Sequence, residues 1–341
     1  MEKPSIGKTL FLEGYLLFYF VWLCKINLET GGNNKMKQKI YPIVFSCDEN
    51  YAKYLGVAIT SIYKNRKPDN SYKIYILNTD LSLDTKQKLK SLSDRNFLIE
   101  FVCVEDRMKN ISSDKIHLRD YYTQAIYYRI FIPSLFPDYQ KILYVDCDVV
   151  FDVDVANIFE NDLGDTIFGV VNDEVVPAVK EFYEYVEGFL GVDRNKYFNS
   201  GLLLINCEQF NKFNVEKKFI DLMNKFKLEV APDQDYLNLI CKDKVTYLDL
   251  GWNKNPIPNA NFDDKNVKMV HYKMSYKPWR YNDVMYSDIY WKYARISPLY
   301  LEIMFEKESF TDEDRAREMQ KGWNLLQLAK KYLQNGKLEI V

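Results

Sequence analysis

An alternation of β-type and amphipathic segments from residue 40 onward is the feature that most restricts the fold of this 341-residue chain. The pattern predicts strands at residues 40–46, 72–77 and 98–104, with helices at residues 54–64 and 83–92 between them. Later segments predict strands at residues 166–171 and 201–206 and a helix at residues 215–226. A βαβαβ beginning is typical of a mostly parallel sheet with helices on both faces, so the sequence predicts an α/β fold.

The composition is that of a globular protein without a nucleic-acid partner. Hydrophobic residues make up 47% of the chain, and 46 Lys and Arg are interspersed with 48 Asp and Glu, which leaves a net charge of −2. The six cysteines lie far apart with no Cys-x-x-Cys pair, so we expect reduced core residues of a cytoplasmic protein. With only two histidines, a His-rich zinc site is excluded.

Two carboxylates follow an unbroken apolar run at residues 142–145. The run predicts a strand buried on both faces, and Asp146 and Asp148 form an Asp-x-Asp motif at its carboxyl end. Ligands of open α/β sheets collect at the carboxyl ends of strands. Carboxylate oxygens suit Mn²⁺ or Mg²⁺, which keep free positions for phosphate oxygens. The structural alternative is a strand end capped by two solvated acids.

The two ends of the chain carry segments outside the α/β pattern. Residues 9–26 are apolar but interrupted by Glu13 and Gly14, and the uninterrupted stretch at residues 15–24 is too short for a membrane span. Either translation starts at Met36, directly before the first strand, or residues 1–35 are a weak membrane anchor. Residues 286–341 are predicted to be helical, as a docked appendage or as a face for a membrane surface, because Trp323 and two lysines occur there.

Six motifs, the Asp-x-Asp motif among them, carry a resemblance to a known family. In chain order they are Val44-Phe-Ser-Cys-Asp48-Glu49-Asn50-Tyr51, Tyr127-Tyr-Arg129, Asp146-Cys147-Asp148, Tyr197-Phe-Asn199-Ser-Gly201, Asp233-Gln234-Asp235, and a run from His271 through Lys277 to Trp279. Their joint order and spacing resemble the family 8 retaining glycosyltransferases, which include bacterial lipopolysaccharide galactosyl- and glucosyltransferases and, more remotely, glycogenin. The resemblance covers about residues 40–285. It implies the GT-A fold, a catalytic domain at residues 36–285, a UDP-sugar donor and Mn²⁺.

The resemblance also implies roles for individual residues. The implied metal ligands are Asp146, Asp148 and His271, and the implied catalytic residues are Asp233, Gln234 and Lys277. The implied donor-binding residues are Ser46, Asp48, Asn50, Arg129, Asp146, Cys147, Asp148, Asn199, Asp233, Gln234 and Lys277. Gln234 would lie on the β face of the anomeric carbon, and Asp233 and Asn199 would contact the donor sugar.

Elementary chemistry supports several of these roles and leaves alternatives open. Asp48 and Asn50 follow the first strand, where polar groups meet a nucleotide, but they also suit the start of a helix. Arg129 lies in an apolar stretch and needs a carboxylate or phosphate partner, so a structural salt bridge and a donor contact are both open. Neutral imidazole is a competent third ligand at His271. Lys277 suits the charge that develops on a diphosphate leaving group.

Met274 departs from the family pattern, which commonly has glycine at this position. Glycine lets the backbone approach the diphosphate closely, and methionine adopts positive φ only with strain. Donor affinity or closure of this loop is therefore expected to differ from that of the relatives.

The expected activity is Mn²⁺-dependent retaining transfer of glucose or galactose from a UDP-sugar to a glycan or glycolipid acceptor. By analogy, the product is a cell-surface glycan, and the protein is cytoplasmic with peripheral contact to the inner face of a membrane. One alternative is a sugar nucleotidyltransferase, although residues 46–50 lack the glycine-rich phosphate loop of that class. The other is a non-catalytic sugar-nucleotide or glycan binding module, which Met274 alone supports.

Overall fold

The computed structural model describes residues 39–109, 111, 123–334 and 336–338. The interpretations of residues 1–35, of Cys24 and of His117 therefore lie outside the described residues. Every element given below belongs to a unit that begins at Ile40.

Seven strands form one central sheet in the order β3-β2-β1-β4-β7-β6-β8. The chain's strands are β1 Ile40–Ser46, β2 Ser71–Asn78, β3 Phe97–Cys103, β4 Lys141–Val145, β5 Val149–Phe151, β6 Phe168–Asn172, β7 Phe198–Asn206, β8 Val245–Tyr247 and β9 Met269–His271. Strands β3, β2, β1 and β4 run parallel, β7 is antiparallel to both β4 and β6, and β8 is parallel to β6. The sheet is mixed but mostly parallel on one side, which confirms the predicted fold class.

Helices cover both faces of this sheet, as the alternating pattern predicts. They are α1 Ala52–Asn65, α2 Leu83–Lys90, α3 Glu105–Met108, α4 Ile132–Leu135, α5 Lys180–Glu184, α6 Cys207–Lys212, α7 Val215–Lys225, α8 Pro232–Cys241, α9 Ser287–Ala294, α10 Tyr300–Ser309 and α11 Asp312–Gln334. The stretch Gln124–Phe131, which carries Arg129, is a 3₁₀ helix, and Tyr185–Leu190 is a π-helix.

The central strand, β4, is buried on both faces of the sheet. Ile142 and Tyr144 of β4 join one apolar cluster, whereas Leu143 and Val145 join the cluster on the opposite face, and all four side chains are at most 1% exposed. Alternation of side chains along a strand produces this division. The prediction of a doubly buried strand before Asp146 is confirmed.

A separate two-stranded sheet lies beside the carboxyl end of β4. Strand β5 pairs antiparallel with β9, and Val149 is directly opposite His271. Asp148 immediately precedes β5, so this pairing brings Asp148 close to a residue far along the chain. The sequence predicts a longer strand-like run at residues 266–271, but Asp264–Asn266 forms a 3₁₀ turn and only three residues pair.

The C-terminal helices dock on the α/β unit, as one of the two predictions states. Leu325 and Ala329 of α11 are buried in a core cluster, and the Tyr332 ring packs against Phe189 with centroids 5.0 Å apart. The hydroxyl of Tyr332 donates to the carbonyl of Lys227 at 2.7 Å. Within the described residues, no helix combines the length and apolar character needed to span a bilayer.

Four cysteines are buried as predicted, and one is not. Cys47, Cys147, Cys207 and Cys241 are in the core, but Cys103 is exposed. It is the last residue of β3, and β3 lies at the edge of the sheet, so fewer neighbouring elements cover this strand end. The prediction of a core position is wrong for Cys103.

Candidate active site

One large cleft collects nearly all the predicted site residues at the carboxyl ends of β1 and β4. Its lining includes Ser46, Asp48, Arg129, Asp146, Cys147, Asp148, Asn199, Asp233, Gln234, His271 and Lys277. Asn50 is exposed and does not line the cleft, so its contact with a donor stays a prediction.

Asp146, Asp148 and His271 converge into a cluster able to hold a metal ion. Each offers one ligand atom, and these atoms all lie within 4.8 Å of one another. His271 Nε2 is 3.2 Å from Asp148 Oδ1 and 3.8 Å from Asp146 Oδ2. Strand β4 delivers Asp146, while the β5–β9 pair holds the other two residues side by side.

A chain of hydrogen bonds fixes the tautomer of His271. The backbone N–H of Gly201 donates to Asn199 Oδ1 at 3.0 Å, which identifies that atom as the oxygen. The Nδ2 of Asn253 donates to the same oxygen at 2.9 Å, so Asn253 Oδ1 faces His271 Nδ1, also at 2.9 Å. Nδ1 must then carry the hydrogen, so Nε2 faces the two carboxylates and is the atom that could offer a lone pair to a metal ion. Three acceptor groups that face one another fit a divalent cation, and such an outer partner is usual for metal-binding histidines.

Gly201 leaves the space that this cluster needs. A Cβ at this position would lie 2.3 Å from His271 Cε1 and 2.6 Å from Asp146 Oδ2. Real Cβ atoms essentially never approach that closely. The sequence contains this glycine in a family motif but does not reveal its steric role.

Arg129 forms the structural salt bridge that was one of its two predicted roles. Its guanidinium lies 3.0 Å from Asp146 Oδ1 and 3.1 Å from Asp233 Oδ2, and it donates to the carbonyl of Ser200 at 2.7 Å. Burial raises the pKa of Asp233, and Arg129 opposes that rise. Arg129 also lines the cleft, so a donor contact stays open.

Lys277 forms a buried ion pair with a metal-ligand candidate. Its Nζ lies 2.6 Å from Asp148 Oδ2 and donates to the carbonyl of Tyr272 at 2.7 Å. Burial by itself would raise the pKa of Asp148, but neighbouring positive charge, chiefly the ammonium group of Lys277, holds that pKa below its usual value. The ammonium group is therefore placed beside the position where a metal-bound anion would sit.

A second polar network surrounds Gln234, at the start of α8. Gln234 Oε1 accepts from Asn199 Nδ2 at 2.9 Å and from the backbone N–H of Ser200 at 3.0 Å. Asp173 Oδ2 accepts from Asn199 Nδ2 at 3.1 Å and from Lys273 Nζ at 2.6 Å. Although burial raises it, the pKa of Asp173 is lowered to about 2, chiefly because Lys273 is adjacent.

Asp173 and Lys273 are site residues that the motif analysis missed. Asp173 follows β6 directly, so the rule that located Asp146 at the end of a strand would have found it. Lys273 gave no comparable signal, because a lysine two residues after a strand is usually a solvated charge.

Met274 adopts the conformation in which glycine is ordinarily found. Its φ is +64°, and its side chain lines the cleft and packs against a core cluster. A left-handed conformation costs a residue with a Cβ about 1–2 kcal/mol. The strain expected at this position is present in the structure.

The mixed sheet, the Asp-x-Asp motif at the end of β4 and the histidine opposite it define a glycosyltransferase with the GT-A fold. The sequence profile of glycosyl transferase family 8 matches residues 42–283. The chain belongs to this family, which confirms the resemblance seen in the motifs.

Individual relatives agree with this assignment. General stress protein A of Bacillus subtilis (strain 168) is 30% identical over 75% of this chain and 94% of its own length. Lipopolysaccharide 1,2-glucosyltransferase of Escherichia coli (strain K12) is 26% identical over 74% of this chain and 76% of its own. The crystal structure of the galactosyltransferase LgtC in complex with donor and acceptor sugar analogs covers 79% of this chain and 96% of its own, with a TM-score of 0.58 and 23% identity. This last likeness supports the fold.

Proposed function

We propose that this glycosyltransferase moves glucose or galactose from a UDP-sugar to a glycan or glycolipid acceptor, with retention of anomeric configuration. The observation that carries the proposal is the cluster of Asp146, Asp148 and His271, whose histidine has a fixed tautomer and whose neighbour is a buried lysine. The same donor set favours Mn²⁺, or Mg²⁺ in its place. By analogy with the lipopolysaccharide enzyme, the product is a cell-surface glycan made at the cytoplasmic face of a membrane.

The chain's own residues divide the work on a bound donor. When bound, the divalent cation would supply Lewis-acid stabilisation of the diphosphate leaving group. Lys277 adds a second positive charge beside Asp148, where it would stabilise the negative charge that develops as the sugar leaves. Ser46 and Asp48 line the cleft after β1 and would contact the nucleotide.

The network around Gln234 would hold the donor sugar. The carbonyl oxygen of Gln234 is fixed by two donors, so the side chain would hold a constant orientation beside a bound donor sugar. Asp233 accepts from the hydroxyl of Ser200 at 2.7 Å and pairs with Arg129. Orientation of this kind lowers the barrier by removing unproductive arrangements.

The carboxylates near Gln234 favour direct attack over a covalent sugar–enzyme intermediate. Asp235 accepts hydrogen bonds from the hydroxyls of Tyr197 and Tyr185 at 2.6 and 2.8 Å, and Asp233 is held by Arg129. A nucleophile needs a free lone pair aimed at the substrate. We therefore infer that the acceptor hydroxyl attacks the anomeric carbon on the same face from which the diphosphate leaves. An oxygen of the leaving phosphate takes the proton of that hydroxyl.

Release of UDP from a panel of UDP-sugars, with and without Mn²⁺, tests this proposal. Hydrolysis or transfer that requires one donor and Mn²⁺ would support it and identify the sugar. Asp148→Ala should lower turnover more than 100-fold because it removes a proposed metal ligand and the carboxylate that pairs with the buried Lys277. Asp106→Ala, at a carboxylate whose side chain is 93% exposed, is the matched control and should retain activity.

Two outcomes would contradict the proposal. Undiminished Mn²⁺-dependent activity in Asp148→Ala would refute the metal assignment. UDP binding without turnover of any donor, with glycan acceptors present, would favour the binding-module alternative.

A further inference from the structure

Part of the cleft wall is apolar, and the proposed transfer reaction leaves this part unused. The lining side chains concerned belong to one hydrophobic cluster or pack against it: Val176, Phe182, Val186, Val230, Met274 and Leu325. They come from four separate parts of the chain, so the wall is assembled by tertiary structure. We call these six residues the apolar wall.

The apolar wall begins at the sugar end of the cleft. The backbone N–H of Val176 donates to Asp173 Oδ1 at 3.1 Å, and another oxygen of that carboxylate contacts the network around Gln234. Val230 lies three residues before Asp233. The groups assigned to the nucleotide, Ser46 and Asp48, come instead from the end of β1. The occupant of the apolar wall therefore lies next to the donor sugar.

The side of the donor sugar that faces away from the nucleotide is where a second substrate must lie. A transferase must bind donor and acceptor at the same time, and the position beyond the donor sugar belongs to the acceptor. The apolar wall thus faces the acceptor.

The chemistry of the wall selects the kind of acceptor. Its six side chains carry no nitrogen or oxygen, so a saccharide hydroxyl placed against them would lose water without gaining a hydrogen bond. Most of them are aliphatic, and burial of a hydrocarbon group against such a surface is favourable. A hydrocarbon group fits the wall better than a second sugar does.

We propose that the acceptor carries a hydrocarbon group next to its accepting sugar, and that the apolar wall binds this group. The inference rests on the proposed function, because it assigns the far end of the cleft to an acceptor. Helix α11 has a part in it, since Leu325 is 6% exposed and closes the wall, whereas Met319 of the same helix is 72% exposed. The C-terminal appendage is then a component of the acceptor site.

The test compares probes that share a sugar and differ in hydrocarbon. Methyl and n-octyl β-glycosides of glucose, galactose and N-acetylglucosamine are titrated by calorimetry, below the micelle concentration, into full-length protein with UDP and Mn²⁺. Each methylene buried contributes about fourfold in affinity. The octyl glycoside of at least one sugar should bind at least tenfold more tightly than its methyl counterpart.

Variants locate the binding. Leu325→Ala and Phe182→Ala should each reduce the octyl-to-methyl affinity ratio by about fivefold or more, because each removes apolar surface from the wall. This ratio is measured within one variant, so a partial loss of folded protein does not change it. Met319→Ala, on the outward face of α11, is the matched control and should leave the ratio unchanged.

The outcomes separate this inference from the proposed function. An octyl-to-methyl affinity ratio near one for every sugar would overturn the inference, and so would a ratio that neither variant reduces. In either case, Mn²⁺-dependent donor hydrolysis by the same preparation would still support the proposed function. If the wild-type protein neither hydrolyses any donor nor binds UDP, the proposed function is refuted, and the inference that rests on it is refuted as well.

Discussion

Replacing Gly201 with alanine should destroy the metal site without destroying the fold. Gly201 lies in strand β7, where alanine is conformationally acceptable, and its φ is not in the left-handed region. The added methyl group would nevertheless lie 2.3 Å from His271 Cε1 and 2.6 Å from Asp146 Oδ2. Two of the three proposed ligands would have to move.

The size of that movement sets the expected effect. Ordinary contact with a Cβ begins at 3.4 Å, so the imidazole must retreat by about 1 Å, whereas metal–ligand distances tolerate only about 0.2 Å. Asn253 holds the far side of the ring and opposes the retreat. Mn²⁺ affinity should fall at least about 100-fold, and turnover should fall by a similar factor because about 1 Å of misplacement costs about that much.

Calorimetric titration with Mn²⁺ in the presence of UDP measures the affinity, and UDP release measures turnover. Gly322→Ala makes the same chemical change at a position where no heavy atom lies within 4 Å of the new Cβ. This control should behave as the wild type. If Gly201→Ala binds Mn²⁺ and turns over normally while folded, the steric reasoning and the proposed ligand set are both wrong.

Three further changes test other parts of the structure. Asn253→Ala removes the acceptor that fixes the His271 tautomer and should weaken Mn²⁺ binding about 10–100-fold in the same titration. Unchanged Mn²⁺ affinity would contradict the tautomer assignment. Met274→Gly should unfold at a temperature about 2–4 °C higher than Met274→Ala, because alanine keeps about 1 kcal/mol of left-handed strain that glycine lacks; equal midpoints in thermal unfolding would show that the residue is unstrained. Burial raises the pKa of Asp235 from 3.8 to about 6, so between these values the unfolded chain is ionised while the folded chain holds its proton, and stability falls as pH rises. Urea unfolding should show a loss of about 2 kcal/mol between pH 4.5 and 7 that Asp235→Asn lacks, and equal pH profiles for the two proteins would disprove this assignment.

The sequence predicts the first half of the fold well because periodicity and burial agree there. Strands β1, β2 and β3 and helices α1 and α2 lie within two residues of their predicted bounds. Each is long enough for its apolar pattern to be read without tertiary information. Strand β7 was predicted at residues 201–206 but begins at Phe198, since Asn199 and Ser200 are polar residues inside a strand.

The parts that the sequence could not give are those fixed by tertiary pairing. Strands β5, β8 and β9 have three residues each, too few for a periodic signal. Their existence follows from contacts between distant segments. The ion pairs of Arg129 with Asp146 and Asp233 likewise join distant segments, and no local pattern reveals that these residues lie close together.

The sequence predicts the parts of the candidate site whose functional side chains belong to a family motif. The Asp-x-Asp motif, His271 and Lys277 meet in the cleft as predicted. Asn253 contacts His271 and does not line the cleft, so no motif in this sequence marks it. The apolar wall was invisible for a related reason, because valine, phenylalanine and leucine in a core and in a cleft look the same in a sequence.

The β5–β9 pairing also bears on how the protein is made. It joins Val149 to His271, which are separated by more than a hundred residues. At a synthesis rate of about 5–20 residues per second, an interval of about 6–25 s separates the appearance of the first two ligands from that of the third. A nascent chain lacks one of the three proposed ligands during that time, and a truncated chain that ends before residue 269 should never gain it. Metal affinity at the proposed site would thus distinguish chains that include the catalytic region from prematurely terminated ones.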